Sequence, residues 1–307
     1  MSIETIMGVS SKCSDAAIAG VGSYGCPFKF QLPDGILLVR KGYFVPATDD
    51  FNKEYLLDLI QSGVAIPLLD SFAFEPINED DVKETSVTGV NALARKGLTE
   101  LKFTYKKGIE YEKALERLQS FGAFDVWVVD KSGNFLGIEK SDGFGGFTAG
   151  LVLPKSRMWN NGSESEGKEL EVQLTQPGEV VNMTWIEASA LDFFAPTEID
   201  GVNATKMSYA DSSGAVPPSS GSEVKVRVLA SDGVTPIIGL AATDFMISID
   251  GLDIATTSTE DGDGYYTVSG TIVAGEVKTR IHDSVNSYDS ASVSGLLFGG
   301  SVTATVV

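Results

Sequence analysis

The sequence predicts an α+β protein in which an antiparallel β-sheet or sandwich domain with about two helices precedes an all-β sandwich. From Ser222 to Val307, short segments alternate polar and apolar residues, and Gly, Asp and Pro separate them with almost no helical spacing. Earlier in the chain, two segments have helical apolar spacing among several strand-like segments. We therefore divide the 307 residues into an extended N-terminal arm (1–26), an α+β domain (27–200), a linker (201–221) and a β-sandwich (222–307).

The first elements of the α+β domain are a predicted hairpin and a predicted helix. Strand-like segments at Phe28–Leu32 and Ile36–Val45 flank Pro33–Gly35, whose Pro-Asp-Gly sequence favours a turn. Residues Thr48–Asp50 offer N-caps for a helix, which we expect to end before Gly63.

The middle of this domain contains the clearest helical pattern. Apolar residues recur on one face of Ile109–Phe121, and charged residues occupy the other face. An alternating strand at Leu98–Lys106 precedes this helix, and the almost continuously apolar Phe124–Asp130 follows it as a buried strand. A turn at Lys131–Asn134 then leads into an antiparallel strand at Phe135–Glu139.

Two strands and a short helix are expected to complete the domain. Phe147–Pro154 and Lys168–Gln176 have strand-like patterns, with a polar loop at Asn160–Gly167 between them. The amphipathic segment Trp185–Phe194 favours a final helix, and residues 200–222, rich in Gly, Ser and Pro, are typical of a linker.

Five segments of the C-terminal domain alternate as strands do. They are Glu223–Ala230, Asp244–Asp250, Tyr265–Val273, Glu276–His282 and Ser301–Val307. Strands at this spacing without intervening helices predict a small antiparallel sandwich.

The chain is strongly acidic along its whole length. It has 42 acidic and 23 basic residues, a formal net charge of −19, and the parts before and after Asp200 are both acidic. Such a surface repels phosphate, so direct binding of nucleic acid is not expected. An acidic wall can still serve as a conduit to which DNA does not adhere, or the charge can simply confer solubility.

The cysteines and the ends of the chain indicate no special site. Cys13 and Cys26 do not have zinc or redox spacing, and we expect two reduced, buried thiols, although a disulfide between them is possible. No secretory signal pattern and no apolar run long enough for a membrane span is present in the sequence.

No pattern indicates a catalytic, cofactor or metal site. The single histidine, His282, argues against His-rich metal sites and a Ser-His-Asp triad, and we expect it on a strand surface. Asp261 and Asp263 resemble the start of a calcium loop, but Ile272 stands where the bidentate Glu is required, so a polar turn is preferred. The glycines of residues 143–146 lack the Lys and the helix of a phosphate loop.

Two neighbouring segments carry opposite charge. Residues 75–84 are acidic and residues 85–108 are basic. Opposite patches on one subunit can dock head to tail with the next copy; the alternative is a hairpin whose charges pair within the chain. The candidate inter-subunit contacts are Glu79, Asp80, Asp81, Arg95, Lys96, Lys102, Lys106 and Lys107.

Residues 100–147, "ELKFTYKKGIEYEKALERLQSFGAFDVWVVDKSGNFLGIEKSDGFGGF", followed by "EVQLTQPGEV" at 171–180, resemble the tail tube (major tail) proteins of long-tailed bacteriophages. The shared pattern is a sheet, a helix, a buried strand, a tight turn and a Gly-rich stretch. The C-terminal sandwich is similar to the immunoglobulin-like domains that phage tail and capsid proteins carry. Together these features span most of residues 98–307.

The resemblance implies a structural virion protein without catalytic residues or cofactors, assembled in the host cytoplasm. Subunits, commonly six, would form a homo-oligomeric ring, and rings would stack with other virion proteins around a lumen that conducts DNA without binding it specifically. Sheets would line the lumen, while the N-terminal arm and the loop around residues 77–97 would contact the next ring. The chain is longer than a minimal tube protein, so a connector, a capsid-associated or accessory tail protein, or a bacterial injection device stays open.

The residues also allow two further classes of function to be compared with a virion protein. A carbohydrate- or cell-surface-binding module would use Tyr265 and Tyr266 as exposed stacking platforms. A hydrolase would need paired carboxylates, and the carboxylate spacing does not support one.

Overall fold

A computed structural model describes residues 2–6, 30–85, 91–160, 162, 166–283, 286–294 and 296–306. It confirms the predicted class, because strands hold 53% of the residues, helices hold 13%, and antiparallel sheets form a sandwich-like arrangement. The chain separates into two compact units, one of Met1–Leu56 with Val64–Ile199 and one of Leu57–Gly63 with Asp200–Val307. Cys13, Cys26 and most of the predicted N-terminal arm lie outside the described residues.

The elements up to Ile199 are mainly strands. In chain order they are β1 (Pro33–Arg40), β2 (Phe44–Pro46), α1 (Lys53–Gln61), β3 (Ala65–Leu68), β4 (Ala73–Asn78), β5 (Val82–Thr85), β6 (Asn91–Arg95), β7 (Thr99–Tyr105), α2 (Ile109–Glu116), β8 (Ser120–Phe121), β9 (Phe124–Asp130), β10 (Phe135–Lys140), β11 (Gly143–Gly145), β12 (Phe147–Pro154), β13 (Lys168–Leu174), β14 (Met183–Ile186) and α3 (Ala195–Glu198). Two 3₁₀ helices cover Pro177–Asn182 and Ala188–Ala190.

Strand β9 is central to the sheet of the first unit. The sheet runs β2-β11-β10-β9-β12-β13-β7-β4, with β1 also paired to β9, β3 to β1, β14 to β10 and β8 to β12. One core contains Val126 and Val128 of β9 together with apolar residues of β1, β7, β12 and β13. Trp127 of the same strand is fully buried and lies within 6.0 Å, between ring centroids, of Phe51. Side chains on both faces of β9 are therefore buried, as its continuous apolar sequence predicted.

Residues 2–6 also belong to this packing. Ile3 is fully buried, and its backbone N–H donates to the carbonyl of Asp49 at 3.0 Å. The next N–H, of Glu4, donates to Ala47 at 2.9 Å. The described start of the chain is therefore held by backbone hydrogen bonds rather than by apolar contact alone.

Two predictions about the start of the domain were wrong. The Pro33–Gly35 segment is not a hairpin turn, because β1 begins there and pairs with β3 and β9. The start of the strand predicted at Phe28–Leu32 lies outside the described residues. The helix begins at Lys53, and its cap is Asn52, whose Oδ1 accepts from the Tyr55 N–H at 2.8 Å, rather than Thr48–Asp50.

Later elements of the unit also differ from the predictions. The helix from Ile109 ends at Glu116, and Phe121 instead pairs with Leu151 in the sheet. The segment predicted as a final helix, Trp185–Phe194, begins within strand β14, which pairs with β10, and the helix follows at Ala195–Glu198. In both places cross-strand pairing overrides the local amphipathic pattern.

The second unit is a β-sandwich. Its strands are β15 (Asn203–Asp211), β16 (Gly214–Ala215), β17 (Gly221–Ala230), β18 (Phe245–Ile249), β19 (Leu252–Ile254), β20 (Thr257–Gly262), β21 (Tyr265–Ile272), β22 (Gly275–Ile281), β23 (Ala291–Val293), β24 (Leu296–Gly299) and β25 (Ser301–Val306). One sheet runs β20-β21-β17-β15-β24-β23 with β16 on β15, and the other runs β19-β18-β22-β25. The prediction of a linker at 201–221 was wrong, since β15 and β16 lie there and β15 is an inner strand of the larger sheet.

The two sheets of the sandwich share one core. It includes Val226 and Val268 from the larger sheet and Ile247 and Val277 from the smaller one. Tyr209 crosses this core, and its hydroxyl lies 3.1 Å from the Val277 carbonyl, 3.2 Å from Thr279 Oγ1 and 3.2 Å from the Val302 carbonyl. Its phenol is therefore a hydrogen-bonded link from strand β15 to strands β22 and β25.

We expect Tyr209→Phe to lower the free energy of unfolding of the second unit by about 1–2 kcal/mol, because the hydroxyl that links three buried or partly buried partners is lost. All three tryptophans of the chain lie in the first unit; they are Trp127, Trp159 and Trp185. Tryptophan fluorescence therefore reports the unfolding of the first unit, whereas circular dichroism reports the unfolding of both units. The midpoint of the transition detected by circular dichroism should move to a lower urea concentration, while the midpoint detected by fluorescence stays unchanged. The control is Tyr265→Phe, because the Tyr265 hydroxyl has no hydrogen bond among the described residues. An equal shift in that variant would contradict the role of the Tyr209 hydrogen bonds.

A turn of the sandwich gives a prediction about pH. Asp232 accepts from Thr235 Oγ1 at 2.6 Å and from the N–H groups of Val234 and Thr235 at 2.8 and 3.0 Å. These bonds lower the pKa of its carboxyl from 3.8 to about 2. Because the pKa of Asp232 is lower in the folded protein, its ionised carboxylate stabilises the fold at pH values above the unfolded pKa of 3.8. This stabilisation is lost as the pH falls through the folded pKa of about 2. A carboxyl NMR titration should give about 2 and move upward in Thr235→Val; an unshifted value in both proteins would contradict the geometry.

Candidate assembly surface

The outer face of strands β4, β7, β13 and β12 carries polar side chains in register. Leu101, Phe103 and Tyr105 of β7 point into the core, so the residues that alternate with them lie on the opposite face. The strand register defines three rows across this face. The rows contain Ala73, Thr104 and Glu169; Glu75, Lys102, Glu171 and Leu153; and Ile77, Glu100, Gln173 and Leu151.

Carboxylates outnumber ammonium groups on this face. The register places Glu75, Glu100, Glu169 and Glu171 there with Lys102, and Lys155 at the end of β12 forms an ion pair with Glu171. The hydrogen bond to Glu171, reinforced by the charges of Glu171, Glu169 and Glu100, raises the pKa of the Lys155 ammonium. The face therefore carries more carboxylate than ammonium groups.

Strand β4 forms an edge of this sheet. Among the described strands it is hydrogen-bonded only to β7, with Glu75 opposite Lys102 and Ile77 opposite Glu100. An edge strand presents unpaired N–H and C=O groups to another chain. Pro76 lacks an N–H, which limits how far a partner strand can pair along this edge.

A second strand pair continues from β4 and β7. Strands β5 and β6 form a two-stranded sheet of their own, with Val82 opposite Arg95 and Lys83 opposite Leu93. All four residues of β5 and the described side chains of β6 are exposed; Val82 is 45% and Leu93 53% exposed. A two-stranded hairpin alone is at best marginally stable in water, so this hairpin presents apolar side chains without a core beneath them.

The joint between the two strand pairs is held by acidic side chains. The Glu79 N–H donates to the Leu98 carbonyl at 2.9 Å, and the Glu79 carboxylate lies 3.3 Å from the Arg95 guanidinium. Asp81 Oδ1 accepts from the Gly97 N–H at 2.9 Å. Gly97 is required by close approach, because a Cβ there would lie 1.8 Å from the Glu79 carbonyl oxygen.

The structure brings several of the predicted contact residues together within one chain. Glu79, Asp81 and Arg95 belong to the joint, while Asp80 and Lys96 are exposed beside it. Lys102 lies opposite Glu75 on the sheet face, at the other end of β4. The acidic and basic segments therefore face each other as neighbouring strands, and the ion pair of Glu79 with Arg95 joins them within the chain.

The last two predicted contact residues lie at the far end of β7. The Lys106 ammonium is 3.4 Å from the centroid of the Phe72 ring, and Lys107 forms an ion pair with Asp70 at 3.5 Å. Phe72 is 65% exposed, so its ring and Lys106 together present a cation–π pair at the surface. These contacts are local and leave both side chains near solvent.

Sequence reasoning missed the carboxylates that make the sheet face acidic. The alternation of Glu100 and Lys102 with apolar residues in β7, and of Glu169 and Glu171 in β13, was the available signal. It shows which residues share a face, but the facing register of the two strands depends on pairing between residues about seventy positions apart.

The structure corrects the predictions for His282 and Tyr266 and places Asp261 in a strand. His282 is buried after β22 rather than exposed on a strand, and its Nδ1 lies 3.3 Å from Asp289 Oδ1. Tyr266 is fully buried, so it is not an exposed platform, whereas Tyr265 is partly exposed. Asp261 lies at the end of β20, where its Oδ2 accepts from the Thr267 hydroxyl.

The described residues contain neither a metal-ion site nor a membrane-spanning helix. No group of three or more His, Cys, Asp or Glu side chains there is arranged to hold a metal ion. In the same part of the chain no helix has the length and apolar character needed to cross a membrane.

Comparison with known proteins adds no assignment. No protein-family model matches the chain, and a search of curated proteins finds no match.

Proposed function

We propose that the chain is a structural virion protein, a bacteriophage tail tube subunit that assembles with copies of itself into stacked rings. Rings of this class commonly have six subunits, and they join other virion proteins in a particle assembled in the host cytoplasm. The proposal assigns the chain no catalytic step, no cofactor and no membrane span. It rests on the sequence resemblance and on the surface formed by the acidic face and the β5–β6 hairpin.

The exposed hairpin is the observation that carries the proposal. Val82 and Leu93 lie in water, although a neighbouring surface would gain about 25 cal/mol for each Å² of apolar area it covered. The joint at Gly97 and Asp81 orders the base of the hairpin, so less conformational entropy is lost when the hairpin binds. The ordered hairpin of one copy would bind a different surface on the next copy, which is a head-to-tail contact. Such contacts form a closed ring when the rotation between neighbouring copies adds up to a full turn.

The acidic face supplies the second part of the proposal. With the face of Glu75, Glu100 and Glu169 turned toward a central channel, every subunit contributes carboxylates to the wall. Phosphate groups of DNA are repelled by such a wall, so DNA passes through without adhering. The free edge of β4 would let sheets of neighbouring subunits pair around the channel.

The double variant Val82→Asp/Leu93→Asp tests the hairpin contact. We expect wild-type protein to give a molar mass of several subunits by size exclusion with light scattering, and the variant to remain monomeric in the same concentration range. Carboxylates at these positions would have to be desolvated in the contact. Because both side chains are exposed, the fluorescence-detected stability of the first unit should change by about 0.5 kcal/mol or less.

Leu252→Asp/Val273→Asp is the matched control. Leu252 and Val273 are 75% and 51% exposed, and both lie in the second unit. This control adds the same two charges and should leave the molar mass at the wild-type value. Wild-type protein that stays monomeric at high concentration, or a hairpin variant that assembles normally, would contradict the proposed function.

A further inference from the structure

A polar pocket on the larger sheet of the sandwich is lined by residues of β17, β20 and β21 and by the end of β15. It has a volume of about 170 Å³. Its principal lining residues are Asp211, Ser212, Lys225, Asp261, Tyr265 and Thr267. Pockets for drug-sized ligands are about 300–1,000 Å³, so this one fits a single small ring rather than a chain of rings.

Strand register and hydrogen bonds position the walls of the pocket. On neighbouring strands β17 and β21, Lys225 lies opposite Thr267, and Arg227 lies opposite Tyr265. Thr267 Oγ1 donates to Asp261 Oδ2 at 2.7 Å, which holds that carboxylate. The Arg227 guanidinium carbon lies 4.8 Å from the centroid of the Tyr265 ring and holds the ring by a cation–π contact.

The opposite wall is equally ordered. Asp211 Oδ1 accepts from the backbone N–H of Ser213 at 2.8 Å and from its hydroxyl at 2.6 Å. These hydrogen bonds, with a smaller contribution from the charge of Lys225, lower the pKa of the Asp211 carboxyl. Asp211 is therefore ionised at neutral pH and serves as an acceptor.

Several polar groups of the pocket form no hydrogen bond or ion pair with the described residues. Within the described part of the chain, Lys225 forms no ion pair, and neither the Tyr265 hydroxyl nor the Ser212 hydroxyl has a hydrogen-bond partner. Asp261 Oδ1 likewise accepts no hydrogen bond from these residues. The pocket thus offers donors and acceptors within one small space beside an aromatic ring.

We propose that this pocket binds one neutral pyranose ring of a glycan. Vicinal hydroxyls of a sugar donate to the carboxylates of Asp211 and Asp261 and accept from Lys225 and Tyr265, while the phenol ring packs against the C–H groups. Two carboxylates disfavour a phosphate or sulfate, and the ammonium of Lys225 disfavours a cation. A ligand with many hydroxyls and no net charge satisfies both kinds of group.

The experiment is ligand-observed NMR on the full-length protein with glucose, galactose, mannose, N-acetylglucosamine and glucuronate at millimolar concentration. We expect at least one of the neutral sugars to bind. Lys225→Met, Tyr265→Ala and Tyr265→Phe should weaken binding, with Lys225→Met costing about tenfold for one lost charged hydrogen bond. Lys278→Met, in strand β22 of the smaller sheet, is the matched control and should bind as wild type.

Each other outcome overturns the proposal. Binding of none of the neutral sugars, binding of glucuronate alone, or equal binding by wild type and all pocket variants would each do so. Tyr265→Phe removes only a hydroxyl without a partner, so it keeps the fold and guards against loss of binding through misfolding. Molar mass measured on the same samples separates this pocket from the assembly proposal, because the pocket variants should assemble as wild type.

Discussion

Replacing Asp130 by Ala is expected to lower the free energy of unfolding of the first unit by about 3–5 kcal/mol. The Asp130 side chain is fully buried and accepts four hydrogen bonds. Its donors are the N–H groups of Gln31 and Ser132 at 2.9 Å, and the N–H and Nδ2 of Asn134 at 2.9 and 2.8 Å. Alanine leaves these donors without an acceptor, and the cost of an unmade bond exceeds the net gain of a made one.

The loss extends beyond the turn between β9 and β10. Asn134, oriented by Asp130, accepts from the Ala188 N–H through its own Oδ1 at 2.9 Å. One carboxylate therefore links the end of the central strand to the segment before β1 and, through Asn134, to the 3₁₀ helix Ala188–Ala190. Cooperative networks of this kind lose more than one bond when a shared acceptor is removed.

Urea unfolding followed by tryptophan fluorescence measures this change in the first unit. Asp130→Asn keeps one acceptor oxygen but turns an amide toward donors, so its loss should be intermediate. The control is Asp80→Ala, because Asp80 is exposed and its carboxylate has no hydrogen bond or ion pair within the described residues. A loss below about 1 kcal/mol in Asp130→Ala would contradict this account of the turn.

Replacing Gly97 by Ala is expected to weaken assembly by at least tenfold, about 1.4 kcal/mol. The added Cβ would lie 1.8 Å from the Glu79 carbonyl oxygen and 2.6 Å from its carbon, so the backbone of one strand must move. That movement disturbs the Asp81–Gly97 and Glu79–Leu98 hydrogen bonds that order the base of the hairpin. The hairpin then loses its fixed direction, and binding it to the next copy requires more ordering.

Amide hydrogen exchange and molar mass together measure this effect. Exchange should accelerate at residues 79–82 and 95–98 while the amides of β9 keep their protection, because the clash lies in an exposed joint. Gly178→Ala is the control, since a Cβ there meets no atom within 4 Å and the side chain would be exposed. Normal assembly of Gly97→Ala despite accelerated exchange would show that the direction of the hairpin is not needed.

Elements with strong local patterns are the ones that the sequence predicted well. Phe124–Asp130 and Phe147–Pro154 are strands with the predicted bounds, because continuous or alternating apolar residues define a buried strand without reference to partners. Five strands of the sandwich, β17, β18, β21, β22 and β25, were found for the same reason, to within two residues at each end.

Elements that depend on distant partners were not found from the sequence. Strand β15 lies in a segment whose composition is typical of a linker, and it is a strand because it pairs with β17 and β24. The Gly-rich β11 is likewise held by pairing to β2 and β10. The candidate surface was predicted only in part: charge contrast identified the hairpin segments, whereas the acidic rows depend on the register of β4, β7 and β13.

Electron microscopy of the purified wild-type protein over a range of protein and salt concentrations tests the assembly proposal most directly. We expect rings or tubes with a central channel, and a three-dimensional reconstruction in which Glu75, Glu100 and Glu169 face the channel and the hairpin of Val82 and Leu93 is covered by a neighbouring copy. Dispersed two-unit monomers under every condition, or a closed ring whose acidic face points outward, would contradict it.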